Sequence, residues 1–340
     1  MATTMNPRPA LVSDASAWKG ADYRDNTSWI YTLTAADVEE LAAAAQRCLA
    51  RGLQATDIGR DDFPLPTVGP AIAQWAEEIN NGRGFLLVRG LPSARFSDAE
   101  VRAIFWGMGL YFGSPVSQNS YGEMLGDVYD EGVKMGARVR GYRTSQRLMF
   151  HTDRCDIVGL LCVRQAKSGG LSSIVSSTRI YNEIARHHPE YLEPLMNGYI
   201  HMNVEEGGDV STYRVPVYSV HEGVVSCRIL RNTIETARRM GHTDYSALET
   251  AALDYMDQLA NDPDMRLDMM LERGDMQFIN NYTTLHARTA FEDHAQPQQR
   301  RHMVRLWLKS FGLRRPTNRQ LFADYEGVVK NLERQAPGRA

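Results

Sequence analysis

The sequence predicts a mainly β protein, a sandwich or barrel core with helices packed around it and a helical insertion before the last two strands. Three observations carry this expectation. From Leu148 onward, short runs rich in β-branched and apolar residues recur, punctuated by Gly-Gly, Glu-Gly and Arg-Gly-Asp turns. Before that point the apolar spacing is mostly helical, broken by one glycine-bounded strand. No internal repeat or low-complexity linker divides the 340 residues, so one domain over 1–340 is expected.

Residues 1–17 lack periodicity and are expected to form a flexible arm. Thr34, with Asp37 three residues on, reads as the start of a helix that runs through Leu41 and Leu49 to Gly52. The break Phe63-Pro64-Leu65-Pro66 precedes a second helix over 71–79, and Gly84 and Gly90 bound an apolar strand. Ser97 opens a third helix over 98–110. Strands are then expected over 148–151, 157–164, 172–177, 199–203, 215–220, 224–230, 276–285 and 301–309, with helical stretches at 180–195 and 245–259. From Pro316 the chain reads as a polar helix fading into a tail.

Composition narrows the function. Lys plus Arg number 38 against 41 Asp plus Glu, so the net charge of -3 offers no basic footprint for nucleic acid. No run approaches the ~18 apolar residues of a membrane span, and the N-terminus has no hydrophobic signal core, so a cytoplasmic location is the expectation. Cys48, Cys155, Cys162 and Cys227 form no CxxC pair, which disfavours a zinc framework; they read as small buried hydrophobes.

The chemistry starts from His151-Thr152-Asp153. In a strand, alternate side chains share a face, so residues 151 and 153 can converge on one spot. His-x-Asp alone is a weak signal. It gains weight from His286, which ends the run Met276–Leu285. Two His and one carboxylate can hold iron(II) on one face and leave positions open for small molecules, although zinc hydrolases use the same ligand types. Arg300-Arg301-His302-Met303-Val304-Arg305-Leu306-Trp307 adds a second signal. As a strand it places Arg301, Met303, Arg305 and Trp307 on one face, and an inward guanidinium calls for an anion. The distal carboxylate of 2-oxoglutarate would satisfy Arg301, and Arg305, further along that face, would meet an acidic substrate. Arg147 and Met149 share the parity of His151, and Ser117-Gln118-Asn119 is a candidate substrate loop.

Several features together resemble the taurine dioxygenase-like (TauD/TfdA) family, in particular its clavaminate synthase-like members. They are Phe150-His151-Thr152-Asp153, Gly169-Gly170 followed by Ser172, Asn280-Asn281 before Leu285-His286-Ala287-Arg288, Phe291-Glu292-Asp293, and Arg300-Arg301-x-Met303-x-Arg305. The resemblance covers about residues 85–312. It implies a double-stranded β-helix (jelly-roll) core and a dioxygenase that consumes 2-oxoglutarate and O2 at Fe(II). The family's metal ligands carry over to His151, Asp153 and His286. Its co-substrate contacts carry over to Arg301 and to Ser172. The interval from His286 to Arg301 is longer than in taurine dioxygenase, which makes Arg300 a rival for Arg301; Arg288 is a second rival, expected to pair with Glu292 or Asp293. Substrate contacts are expected from Arg305, Arg147 and Gln118. The expected substrate is a small acid-bearing metabolite, such as an amino acid or a secondary-metabolite intermediate, with hydroxylation the first expectation and desaturation or cyclisation the alternatives. The other readings are a zinc-dependent hydrolase and a non-catalytic jelly-roll binding protein. A homo-oligomer is left open.

Overall fold

The computed structural model describes residues 10–133, 141–203, 209–211, 213–313 and 328. Three helices come first. Thr34 caps Ala35–Ala50 by accepting from the Asp37 N–H, while the Asp37 carboxylate accepts from the Thr34 N–H at 2.9 Å. Ser97 and Glu100 repeat this reciprocal cap on Asp98–Gly109. Pro70 opens Gly69–Asn81, where a missing N–H costs nothing. The apolar faces of these helices pack through Leu41, Ile72 and Phe105 against Phe278, Val304 and Leu306 on the outer side of a large sheet.

That sheet has seven strands. Ile30–Thr32 pairs in parallel with Phe85–Arg89, followed by antiparallel Met276–Asn280, Ile157–Arg164, His302–Ser310 and Gly113–Pro115, with Leu125–Val128 also on His302–Ser310. A smaller antiparallel sheet runs Arg266–Met269, Ser172–Ser176, Thr284–Arg288, Leu148–His151. The two sheets share a core in which Val158, Ile279, Met303 and Trp307 meet Ile174, Leu267 and Met269. Helices Ser177–His187, Leu192–Asn197 and Ala247–Asn261 cover the other face of the small sheet through Ile180, Leu195 and Met256. The result is a jelly-roll core between helical layers.

Several expectations need correction. The run over 276–285 is two strands in different sheets, Met276–Asn280 and Thr284–Arg288. The Asn280 carboxamide accepts from the Tyr282 N–H at 2.8 Å, an Asx turn that ends the first strand. His286 is therefore central in its strand, not terminal. The stretch 180–195 breaks at His188-Pro189, where a continuing helix would clash with the ring of Pro189. Residues 10–17 of the expected arm are pinned: Asn182 exchanges hydrogen bonds with both Val12 backbone groups, and Ser176 donates to the Ser16 carbonyl. The expected tail helix from Pro316 lies outside the described residues, apart from residue 328. Strands Leu125–Val128 and Arg266–Met269 and helix Arg231–Arg239 were not anticipated, because each is short and only partly apolar.

Candidate active site

His151 closes its strand directly opposite His286, so the two imidazoles stand with ring centroids 4.2 Å apart. Asp153 lies beyond the end of the strand rather than within it. Thr152 carries the chain forward by exchanging hydrogen bonds with Ile229, and the Asn281 side chain accepts from the Asp153 N–H at 3.1 Å. The Asp153 oxygens lie 3.9 Å from His151 Nε2 and 3.7 Å from His286 Nε2. One donor atom from each residue falls within 4.8 Å of the others, close enough to converge on one ion.

The electrostatics suit a cation. His151 Nδ1 lies 2.8 Å from the Met149 carbonyl, which favours a proton there and leaves Nε2 as the free lone pair. Burial, reinforced by His151 and Arg305 against the opposing pull of Asp153, pushes the His286 pKa down to about 3. The ring is then neutral at pH 7, as a ligand must be. Burial alone would raise the Asp153 pKa, but Arg305, His286, His151 and the Trp307 N–H outweigh it and hold the carboxyl below its usual range. Trp307 Nε1 donates to Asp153 Oδ2 at 2.9 Å.

A cavity of about 380 Å³ opens on these three residues. Arg301, Met303, Arg305 and Trp307 all line it, so the expected shared face is present although Arg301 itself precedes the strand His302–Ser310. Ser172, Arg147 and Met149 line it as well; Arg147 is exposed and donates to Asn261. Arg300 is exposed and points elsewhere. Arg288 does not pair with Glu292 or Asp293: it donates to the carbonyls of Thr144 and Gln146, and Glu292 is taken by Lys167. Gln118 is turned away from the cavity, where it accepts from Arg305 Nε at 2.8 Å and donates to the Arg305 carbonyl. Its place is behind the arginine rather than against a substrate.

The family description "Taurine catabolism dioxygenase TauD, TfdA family" matches residues 49–307. The chain belongs to the TauD/TfdA dioxygenase family. Within it, the chain is 32% identical over 304 residues to FR-33289 synthase of Streptomyces rubellomurinus, covering 87% of this chain and 90% of that protein. It is 27% identical over 308 residues to the taurine hydroxylase-like protein SAT17 of Stachybotrys chartarum, covering 87% and 79%. The fold resembles asparagine oxygenase (TM-score 0.66, 17% identity, 82% of this chain and 93% of that one). It also resembles the non-heme iron oxygenase OrfP (TM-score 0.60, 14% identity, 83% and 94%).

As a TauD/TfdA enzyme the chain is an Fe(II)- and 2-oxoglutarate-dependent dioxygenase, and His151, Asp153 and His286 are its iron-binding triad. The zinc hydrolase and the non-catalytic binding protein are thereby set aside. The donor set fits iron(II): two imidazoles and one ionised carboxylate on one side of a cavity. Three groups of this TauD/TfdA site went unassigned in the sequence. Asn281 fixes the Asp153 backbone, Trp307 fixes its carboxylate, and Arg228 lines the cavity from the segment before helix Arg231–Arg239. The Asn280-Asn281 pair and the parity of Trp307 with Arg305 were the available signals for the first two. Arg228 had none, because its segment pairs with Thr152 only through the tertiary fold.

Proposed function

We propose that this enzyme hydroxylates a small acid-bearing metabolite, with Arg301 and Ser172 holding the far carboxylate of 2-oxoglutarate. The observation that carries this reading is the charge of the cavity wall. Among the described residues Arg147, Arg154, Arg228, Arg231, Arg288, Arg301 and Arg305 line it, against a single acid, the metal ligand Asp153. Arg231 is already matched by Glu235, Asp254 and Asp257, and Arg305 by Asp153 at 3.4 Å. The ground for an acidic substrate is therefore the cationic wall as a whole rather than Arg305 by itself.

Bound iron with 2-oxoglutarate and O2 supplies the oxidising power. The chain's own part is placement. Arg305 lies with its guanidinium carbon 4.8 Å from the Tyr142 ring centroid and is held by Gln118, so it both steadies Asp153 and presents a charged edge to the chamber. Leu160, Leu271, Met303 and Trp307 give the cavity apolar walls that limit water near the target C–H bond. Hydroxylation is favoured because asparagine oxygenase was solved with 3-hydroxyasparagine and succinate, and OrfP with hydroxyarginine and succinate. A single catalytic domain and a cytoplasmic setting belong to the same proposal.

The test is succinate formation and O2 uptake with iron(II) and 2-oxoglutarate across amino acids, carboxylates and sulfonates, each paired with a neutral amide or ester. Stimulation by anions alone is expected, with Arg305→Leu retaining slow uncoupled 2-oxoglutarate turnover. Equal stimulation by the neutral partners would remove the acid from the proposed substrate.

A further inference from the structure

Two arginines that line the cavity carry donors that meet no partner among the described residues. Arg288 is 6% exposed, and its Nε and Nη1 have no hydrogen-bond partner; only Nη2 is used, on the Thr144 carbonyl at 2.8 Å and the Gln146 carbonyl. Arg301 is 8% exposed, and its Nη1 is likewise buried without a partner. Asp293 and Asp130 are near enough to favour the Arg288 cation. Yet Asp293 Oδ1 accepts from the Arg301 backbone N–H, and its Oδ2 meets neither guanidinium.

The two cations are neighbours. Their guanidinium carbons lie 4.6 and 5.1 Å from the centroid of the same ring, Phe291. Two adjacent buried guanidiniums repel, and each unmet N–H carries a desolvation cost that an anion between them relieves. The surroundings leave room for one. Ser172 lies directly opposite Arg288 in the sheet register. Gly170 sits at φ +73°, and a Cβ there would come within 3.2 Å of Arg301 Nε, so the space beside the guanidinium depends on glycine.

We propose that Arg288 is a second binding residue for the far carboxylate of 2-oxoglutarate, shared with Arg301, and that its Nη2 ties the Thr144–Gln146 segment to that carboxylate. The inference rests on the reading of Arg301 given above. It makes Arg288 a partner of Arg301 rather than its rival. It also links the co-substrate to the substrate side, because Tyr142 and Arg147 flank the anchored segment and line the same cavity.

The experiment compares 2-oxoglutarate with 2-oxopentanoate, which has a methyl group in place of the far carboxylate. Affinity of each for the anaerobic iron(II)-loaded protein is measured by calorimetry in wild type, Arg288→Gln, Arg288→Lys and Arg301→Ala. Arg288→Gln should weaken 2-oxoglutarate at least tenfold and leave 2-oxopentanoate within about twofold. Should the Gln variant not fold, Arg288→Lys, which keeps the charge but cannot bridge, is expected to show the same contrast more weakly. Equal weakening of both ligands would mean that Arg288 only holds the structure, and the proposal fails. A loss in Arg301→Ala with none in either Arg288 variant also defeats it while sparing the reading of Arg301. No loss in Arg301→Ala would bring down that underlying reading.

Discussion

Replacing Trp307 with Phe removes one N–H and little else that faces the metal. The indole donates to Asp153 Oδ2 at 2.9 Å from a side chain that is 3% exposed, so the bond is shielded from water. A hydrogen bond to a charged acceptor contributes about 1.5–3 kcal/mol, and each ~1.4 kcal/mol is a factor of ten in affinity. Arg305 cannot take over the role, since its contact with the same oxygen is 3.4 Å, long for such a bond. Iron(II) affinity should therefore fall roughly 10- to 150-fold, in line with the effect of losing an outer-sphere partner at other metal sites. Anaerobic competition against a coloured chelator measures this, with urea unfolding as a control for the smaller ring. The loss should deepen on acidification. Arg305 and the two histidines do most to hold the Asp153 pKa down and the indole N–H adds to them, so in the variant the carboxylate protonates at a somewhat higher pH and releases metal sooner. An iron affinity within twofold of wild type, at any pH from 6 to 8, would refute this account of how Asp153 is held.

Other outcomes follow from the same geometry. His151→Ala and His286→Ala each remove one of three protein ligands, so metal analysis should find no retained iron and product assays no succinate. Arg301→Ala should weaken 2-oxoglutarate binding by about 2–5 kcal/mol, whereas Arg300→Ala, an exposed side chain, should leave it unchanged; calorimetry separates them. Burial, joined by Asp254 and Glu235 and opposed by Arg231, raises the Asp257 pKa to about 6. A raised carboxyl pKa adds stability below the unfolded value near 4 that is lost as pH rises through about 6. Asp257→Asn should accordingly be more stable than wild type at pH 8, by up to about 3 kcal/mol, and show no such gain at pH 4, in paired urea titrations.

How much of this was legible in the sequence depended on whether the signal was local. The helix starts at Thr34 and Ser97 were readable because a reciprocal cap is written in four residues. The strands Leu148–His151 and Ile157–Arg164 were readable from uninterrupted apolar runs. The turn at Asn280–Thr283 was hidden, since Met276 to Leu285 keeps a strand-like composition and only the Asn280 side chain, bonding to its own backbone, breaks it. At the site, the pairing of His151 with Asp153 and the face shared by Arg301 and Arg305 emerged from period-two spacing. What did not emerge was partnership across the fold. Arg305 looked like a cation in need of a substrate because nothing local showed that Asp153 and Gln118 would converge on it from 152 and 187 positions away. Arg288 looked like the partner of a neighbouring acid, and only tertiary structure shows it turned to the carbonyls of Thr144 and Gln146.

Visible absorption of the iron(II)-loaded protein under anaerobic conditions is the most direct check on the assignment of the centre. A weak charge-transfer band should appear on adding 2-oxoglutarate, require both iron(II) and 2-oxoglutarate, persist in Arg300→Ala and be absent in His286→Ala. Admitting O2 should then discharge it with formation of succinate. A wild-type protein that binds iron(II) but gives neither the band nor succinate, or a His286→Ala variant that still gives both, would contradict a dioxygenase centred on His151, Asp153 and His286.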